Sequence, residues 1–301
     1  MAAGSSPLRY PGGKQILAKV LAHLIEINGR SGHTYAEPYA GGAGAALALL
    51  YAGHVDRIVL NDADRCVFLF WKSVLEHNAA FLRLIEKVPL TIKEWKRQRA
   101  IYQSPARHST LAVGFATFYL NRCNRSGIIA SGGPIGGVDQ RGEWKIDARF
   151  NREELARRVE KIEIYRHRIA IHNLDAVTFL RRRVLGTSLA TNSFVYLDPP
   201  YYAKGKALYL NCYTARGHQR LASFVKDTCT FRWAMTYDNV PEIRRLYTGL
   251  RQINFDLGYS AHECRVGKEL LIVRDDLTIP AAWQRRIPKR FISAASGWNA
   301  P

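Results

Sequence analysis

The chain alternates short apolar runs that end in a turn or an acid with longer stretches whose apolar residues fall three and four apart. Ile58-Val59-Leu60, Ile169-Ala170-Ile171 and Ser193-Phe194-Val195-Tyr196-Leu197 are brief and rich in β-formers, which predicts buried strands. A short strand at Tyr35-Ala36 precedes them, and Phe231–Thr236, Gln252–Leu257 and Glu269–Val273 follow. Helical spacing recurs in Ile16, Leu17, Val20, Leu21, Leu24 and Ile25, in Ala45–Leu50, and in His218–Lys226. Asn151 with Glu154 three residues on forms a variant capping box for a helix that carries Leu155, Val159 and Ile162 on one face. From Val67 to Arg166 helical patterns dominate and basic residues are threaded through them. Strands alternating with helices predict an α/β fold with one mostly parallel sheet. The organisation expected is one discontinuous domain over 7–66 and 167–275, a helical insertion over 67–166 and a peripheral tail over 276–301.

The ends of the strands carry the candidate chemistry, because in open α/β sheets ligands bind beyond the carboxyl ends. Ser193–Leu197 runs into Asp198-Pro199-Pro200-Tyr201, where two prolines stop the ladder and fix a carboxylate and a ring at the sheet edge. Glu37-Pro38-Tyr39-Ala40-Gly41-Gly42-Ala43-Gly44 is a strand end and glycine-rich turn leading into a helix, the kind of junction at which backbone N–H groups face a nucleotide-like ligand. The spacing departs from the dinucleotide fingerprint. Asp62, however, ends the next strand about twenty residues later, where a ribose hydroxyl pair is normally held. Asp64 competes for that role and Asp62 is preferred, because it directly follows the apolar run. Asp175 lies just past the third strand, on the same side. Near the N-terminus Tyr10-Pro11-Gly12-Gly13-Lys14 delivers Lys14 to a helix start, with plain helix entry as the equal alternative.

Charge narrows the partner. Lys and Arg number 44 against 25 Asp and Glu, a formal net charge of +19, which points to a polyanion and first to nucleic acid. No long uncharged apolar segment exists to span a bilayer, and the first residues lack the pattern of a secretion signal, so a cytoplasmic protein is expected. The cysteines, Cys66, Cys123, Cys212, Cys229 and Cys264, include no C-x-x-C pair and are read as free thiols, with no metal site. Asn121-Arg122-Cys123-Asn124-Arg125-Ser126-Gly127, a glycine-rich run to Gly137 and the turn at Asp139–Glu143 are candidates for entry into a DNA groove, where Arg reads guanine and Asn reads adenine. The alternative is a solvated surface loop.

Taken together, Tyr10-Pro11-Gly12-Gly13-Lys14, Glu37–Gly44 and Asp198-Pro199-Pro200-Tyr201 resemble the Dam-type N6-adenine-specific DNA methyltransferases. Tyr119-Leu120-Asn121-Arg122, Gly127, Arg141-Gly142-Glu143 and Gly267–Leu271 extend the likeness over roughly residues 7 to 273. The resemblance implies a Rossmann-like methyltransferase sheet, mostly parallel with an antiparallel C-terminal strand, a helical target-recognition insertion, and S-adenosylmethionine as methyl donor. It places Tyr10, Lys14, Glu37, Gly41, Gly44, Asp62, Asp175 and Asp198 at the cofactor, and Asp198, Pro199, Pro200 and Tyr201 at the reacting adenine. Arg122, Asn124, Arg125, Ser126, Arg141 and Lys204 are then the expected contacts to double-stranded DNA, and a monomer is the expected state. Arg125 and Ser126 stand where the family commonly has an aromatic wedge and a polar residue. Methylation of N4 of cytosine, methylation of RNA adenine, and a basic DNA-binding protein without catalysis are the alternatives.

Overall fold

The computed structural model describes residues 5–9, 14–30, 32–202, 213–259, 265–284, 286–288 and 291–292. Seven strands form one sheet in the order β3-β2-β1-β4-β5-β7-β6. These are β1 (Thr34–Glu37), β2 (Arg57–Asn61), β3 (Ile169–His172), β4 (Ser193–Leu197), β5 (Arg232–Asp238), β6 (Arg251–Tyr259) and β7 (Arg265–Val273). The first five pair in parallel, and β7 inserts antiparallel between β5 and β6. The expected α/β sheet is therefore present, with its antiparallel element at the C-terminal end. The β6 and β7 strands run longer than their apolar cores suggest, because they pair with each other as a hairpin out to Tyr259 and Arg265.

Both faces of the sheet are covered, which is why its strands read as nearly continuous apolar runs. Side chains alternate between the faces. Tyr35, Ile58, Leu60, Phe194, Tyr196 and Leu271 enter one core, whereas Ala36, Val59, Val195, Leu197, Met235 and Ile272 enter the other. The first core continues without a break into the stretch between β2 and β3. There the helices α3 (Arg65–Glu76), α4 (Asn78–Lys87), α5 (Ile92–Gln103), α6 (Thr110–Cys123) and α7 (Arg152–Ile164) pack together, following α1 (Ala18–Ile27) and α2 (Gly44–Tyr51) in the chain. α6 is buried along most of its length, and Gly114 lets it close on α3, since a Cβ there would collide with Ser73 and the Leu69 carbonyl. Phe70, Phe81, Phe115 and Phe118 fill the bundle with ring centroids 5.3 to 6.2 Å apart. The second core is roofed by α8 (Ala176–Phe179), the π-helical turn Leu180–Leu185, α9 (Leu189–Asn192), α10 (Ala215–Asp227) and α11 (Pro241–Leu246).

The stretch after Val273 differs from the peripheral tail expected. Leu277, Trp283, Ile287 and Ile292 are buried in the first core, and Trp283 meets His23 of α1 and Phe291 at centroid distances of 5.4 and 4.9 Å. Its apolar residues have no period because an irregular segment delivers them one at a time. Among the described residues no helix is long and apolar enough to cross a membrane.

Candidate active site

The carboxyl ends of β1, β2, β3 and β4 converge, and a buried asparagine ties three of them together. Asn61 donates through Nδ2 to the carbonyls of Pro38 and Leu174, each at 2.9 Å, and its Oδ1 accepts the Leu174 N–H at 3.0 Å. It is fully buried, so these bonds satisfy the amide while fixing the loops after β1, β2 and β3 relative to one another. No motif marks this residue; only its place beside Asp62 gives a sequence signal.

Asp62 follows at the end of β2, half-buried. Its Oδ2 accepts the Gly41 N–H at 2.8 Å and its Oδ1 the Asp64 N–H at 2.9 Å. Burial pushes the carboxyl up to about 7, opposed by those two N–H donors. Asp64 instead caps α3, accepting the N–H groups of Cys66 and Val67 at 2.7 and 3.3 Å.

The glycine turn differs in detail from the expectation. Gly41 (φ 46°) and Ala43 (φ 46°, ψ 33°) are the left-handed residues, whereas Gly44 is the first residue of α2. Trp71 Nε1 holds the turn through the Gly41 carbonyl at 2.9 Å. Ala43 supplies no side-chain cap, and Glu37 reaches the Ala46 N–H in the first turn of α2 instead. Glu37 also accepts the Tyr35 hydroxyl at 2.9 Å and is 5% exposed, so it supports the turn from beneath. Burial raises its carboxyl to about 8, Asp198 adding to the rise, which leaves it protonated at neutral pH.

Asp198 stands at the end of β4, partly exposed, with Pro199 buried beside it. Thr236 Oγ1 on β5 donates to Asp198 Oδ1 at 3.1 Å. Tyr201 is 8% exposed and its hydroxyl donates to Glu269 Oε1 on β7, so the ring is pinned by its edge and little of it is open. The Tyr202 N–H donates to Asp238 Oδ1 at 3.0 Å, which binds the loop to the end of β5. Asp175 is brought to the same edge but is already engaged. It caps α8 through the Thr178 N–H at 3.1 Å and pairs with Arg220 Nη2 of α10 at 2.9 Å. Tyr10 and Lys204 lie outside the described residues, as does the Lys14 side chain, although Lys14 opens the 3-10 turn that leads into α1.

A sequence profile of the D12 class N6 adenine-specific DNA methyltransferases matches residues 10–260, a span that holds every strand end just described. The chain belongs to this family. Like its other members, this D12 methyltransferase methylates adenine in DNA at N6. No curated protein sequence matches the chain. Among solved structures, two of the rRNA methyltransferase aviRa from Streptomyces viridochromogenes are similar at 15% identity, covering 85% of this chain and 84% of that one, with TM-scores of 0.32 and 0.33.

In the D12 methyltransferase the polar run at the end of α6 is sorted by burial, and two residues expected at DNA prove to be internal. Arg122 is 6% exposed and donates through Nε to the Pro7 carbonyl at 2.7 Å, and through Nη2 to the same oxygen. Burial, with Arg158 and Arg9 nearby, lowers its guanidinium to about 9. Asn124 is fully buried, accepting Trp95 Nε1 at 2.7 Å and donating to the carbonyls of Ile128 and Ile129. Both are corrections with one cause: irregular segments packed against the end of α6, one at Pro7 and one at Ile128 and Ile129, carry backbone carbonyls that need side-chain partners. Asn121 does the same, accepting the Arg9 N–H at 2.7 Å and donating to the carbonyls of Arg9 and Gly127.

Arg125 remains exposed at the tip, with Ser126 in the left-handed region at φ 55° and Gly127 at φ 73°. Arg141 is exposed on the following loop, which also presents Trp144 at 64% exposure. Gln140 braces that loop by donating to the carbonyls of Ile135 and Gly137 and accepting the Ile146 N–H at 2.9 Å. Among the described residues Cys66, Cys123 and Cys229 are free thiols, and no cluster of metal-ligating side chains occurs.

Proposed function

We propose that the strand-end edge is the site of methyl transfer, with S-adenosylmethionine as donor and a flipped adenine of duplex DNA as acceptor. The residues fit such a donor. The left-handed Gly41 brings its N–H to Asp62, so the acid for a ribose hydroxyl pair and the turn beneath a nucleoside adjoin, and the uncapped start of α2 adds N–H groups. When bound, the donor supplies an electrophilic methyl group on a sulfonium. Gly41 and Asp62 hold its nucleoside, while Tyr10 and Lys14 hold the amino-acid end. Gly44, Asp175 and Glu37 enter this reading as the first residue of α2, the cap of α8 and the support under the turn, and not as free ligands.

The exocyclic amine of adenine is a poor nucleophile because its lone pair is delocalised into the ring. Asp198 and the Pro199 carbonyl accept its two N–H groups and favour the pyramidal nitrogen that attacks. No strong base is needed before transfer, since the alkylated nitrogen carries an acidic proton. Pro199 and Pro200 fix the loop, and Tyr201, its edge held by Glu269, backs the base. Extruding the adenine costs about a few kcal/mol, and phosphate contacts from the basic surface offset it. Arg125, Ser126, Arg141 and Lys204 are the DNA contacts in this reading, and a single chain suffices.

The observation that carries the proposal is the placing of Asp62 and Asp198, both partly exposed, at one sheet edge beside the left-handed turn. In a tritiated methyl-transfer assay on duplex DNA with nucleoside analysis, the wild type should yield N6-methyladenine. Asp198→Ala should abolish transfer while keeping most DNA affinity. Normal methylation by that variant, or N4-methylcytosine as the product, would overturn the reading.

A further inference from the structure

Beneath Asp198 lies a pair of buried hydroxyls that belongs to no motif. Thr236 on β5 is fully buried and Tyr196 on β4 is 2% exposed, and their oxygens are 2.6 Å apart. Thr236 Oγ1 is 3.1 Å from Asp198 Oδ1. A threonine hydroxyl has one hydrogen, and an ionised carboxylate only accepts. Thr236 therefore spends its hydrogen on Asp198, and Tyr196 must donate to Thr236. With Asp198 ionised, as its proposed role requires, the direction of both bonds follows.

The two hydroxyls also sit in a setting where they are costly unless used. β4 and β5 pair with Tyr196 opposite Ala234, and the side chains of Tyr196 and Ala234 enter the apolar core that contains Tyr35 and Leu271. A valine and a phenylalanine would fill the same space without needing partners. A hydrogen bond to a charged acceptor is about twice as strong as one between neutral groups, and it sharpens when water is excluded. Holding Oδ1 from below fixes the plane of the carboxylate, and so fixes where its other oxygen points at the sheet edge.

We infer that Thr236 and Tyr196 form a two-hydroxyl relay, Tyr196 to Thr236 to Asp198, that positions the Asp198 carboxylate for the adenine amine. The inference rests on the proposed role of Asp198. Both are positioning residues, since neither touches substrate. Their contribution appears in the rate of the transfer step and not in binding, because orientation matters when the amine pyramidalises.

The test is a single-turnover rate of methyl transfer from tritiated S-adenosylmethionine to duplex DNA, with dissociation constants for both ligands. Thr236→Val should slow transfer roughly ten- to a hundredfold with both constants within about twofold of wild type, the size expected for losing one hydrogen bond to a charged group. Thr236→Ser should restore most of the rate, because it returns the hydroxyl without the methyl group. Tyr196→Phe, which keeps the ring and so the packing, should slow transfer several-fold by the same measurement, and it decides the matter if Thr236→Val does not fold. A folded Thr236→Val that transfers at the wild-type rate overturns the relay, as does a Tyr196→Phe at that rate. Failure of the underlying reading is distinct: it shows as an active Asp198→Ala.

Discussion

At the strand-end edge, Asp62 and Asp198 stand partly exposed and each keeps at least one oxygen on a donor from its own scaffold, the Gly41 N–H in one case and the Thr236 hydroxyl in the other. At the end of α6 and in the turn after it, Asn121, Arg122 and Asn124 are buried, and their donors go to backbone carbonyls of Pro7 and Arg9 and of the turn itself. Both regions place polar residues beside at least one glycine in the sequence. What separates them is the supply of backbone partners. Strand ends in a sheet arrive with most N–H and C=O groups paired, so the acids there accept from the scaffold and still stay partly exposed. An irregular turn under helices arrives with its backbone groups unpaired, and buried side chains are consumed in pairing them.

The largest expected effect tests the electrostatics of the first region. Glu37 titrates near 8 in the folded protein, against an ordinary value near 4.5. Its folded form prefers the proton, so the stability it contributes is complete below about pH 4.5, declines as pH rises towards 8 and is level above. Glu37→Gln should therefore flatten the fall of stability across that window by several kcal/mol, as read from urea unfolding at a series of pH values. A slope as steep as in the wild type would remove Glu37 from the account, while Asp62, raised to about 7, keeps a smaller slope of the same sign.

The second region is tested by a pair. Arg122→Ala should cost about 2–3 kcal/mol of stability, because it strips the Pro7 carbonyl of its donors and opens a cavity, with DNA affinity of the folded protein nearly unchanged. Arg125→Ala should do the reverse, weakening DNA binding by about 1 kcal/mol and lowering the salt dependence by about one counterion, with stability unchanged within ~0.5 kcal/mol. Thermal melts and salt titrations of duplex binding separate the two, and exchanged outcomes would break the comparison. The smallest effect is at the glycine turn. Ala43→Gly relieves a left-handed alanine and should stabilise by up to about 1 kcal/mol in denaturant unfolding, the gain being limited by the freer unfolded chain. A loss of stability would mean that the Ala43 methyl group contributes more by packing than the backbone loses.

The sequence by itself determined the strands and their order along the chain, the acids at their ends and the proline-stiffened loop after β4. It did so because an apolar run closed by a turn carries its own boundaries, and its backbone requirements are met by regular pairing. Apolar periodicity likewise marked the helices between β2 and β3, although not that their core runs unbroken into the sheet. Only the tertiary structure decided which polar residues face a ligand and which serve the chain. Asn61 clamps three loops from inside, Thr236 and Tyr196 hold Asp198 from below, and Arg122 and Asn124 turn inward, all through partners 23 to 115 residues away except for the turn that Asn124 closes locally. Trp283 escaped for the same reason, as one buried ring brought by an irregular segment has no period to announce it. A polar side chain is assigned by the unpaired groups it meets in the folded chain, and those groups are set by distant segments that the local sequence does not contain.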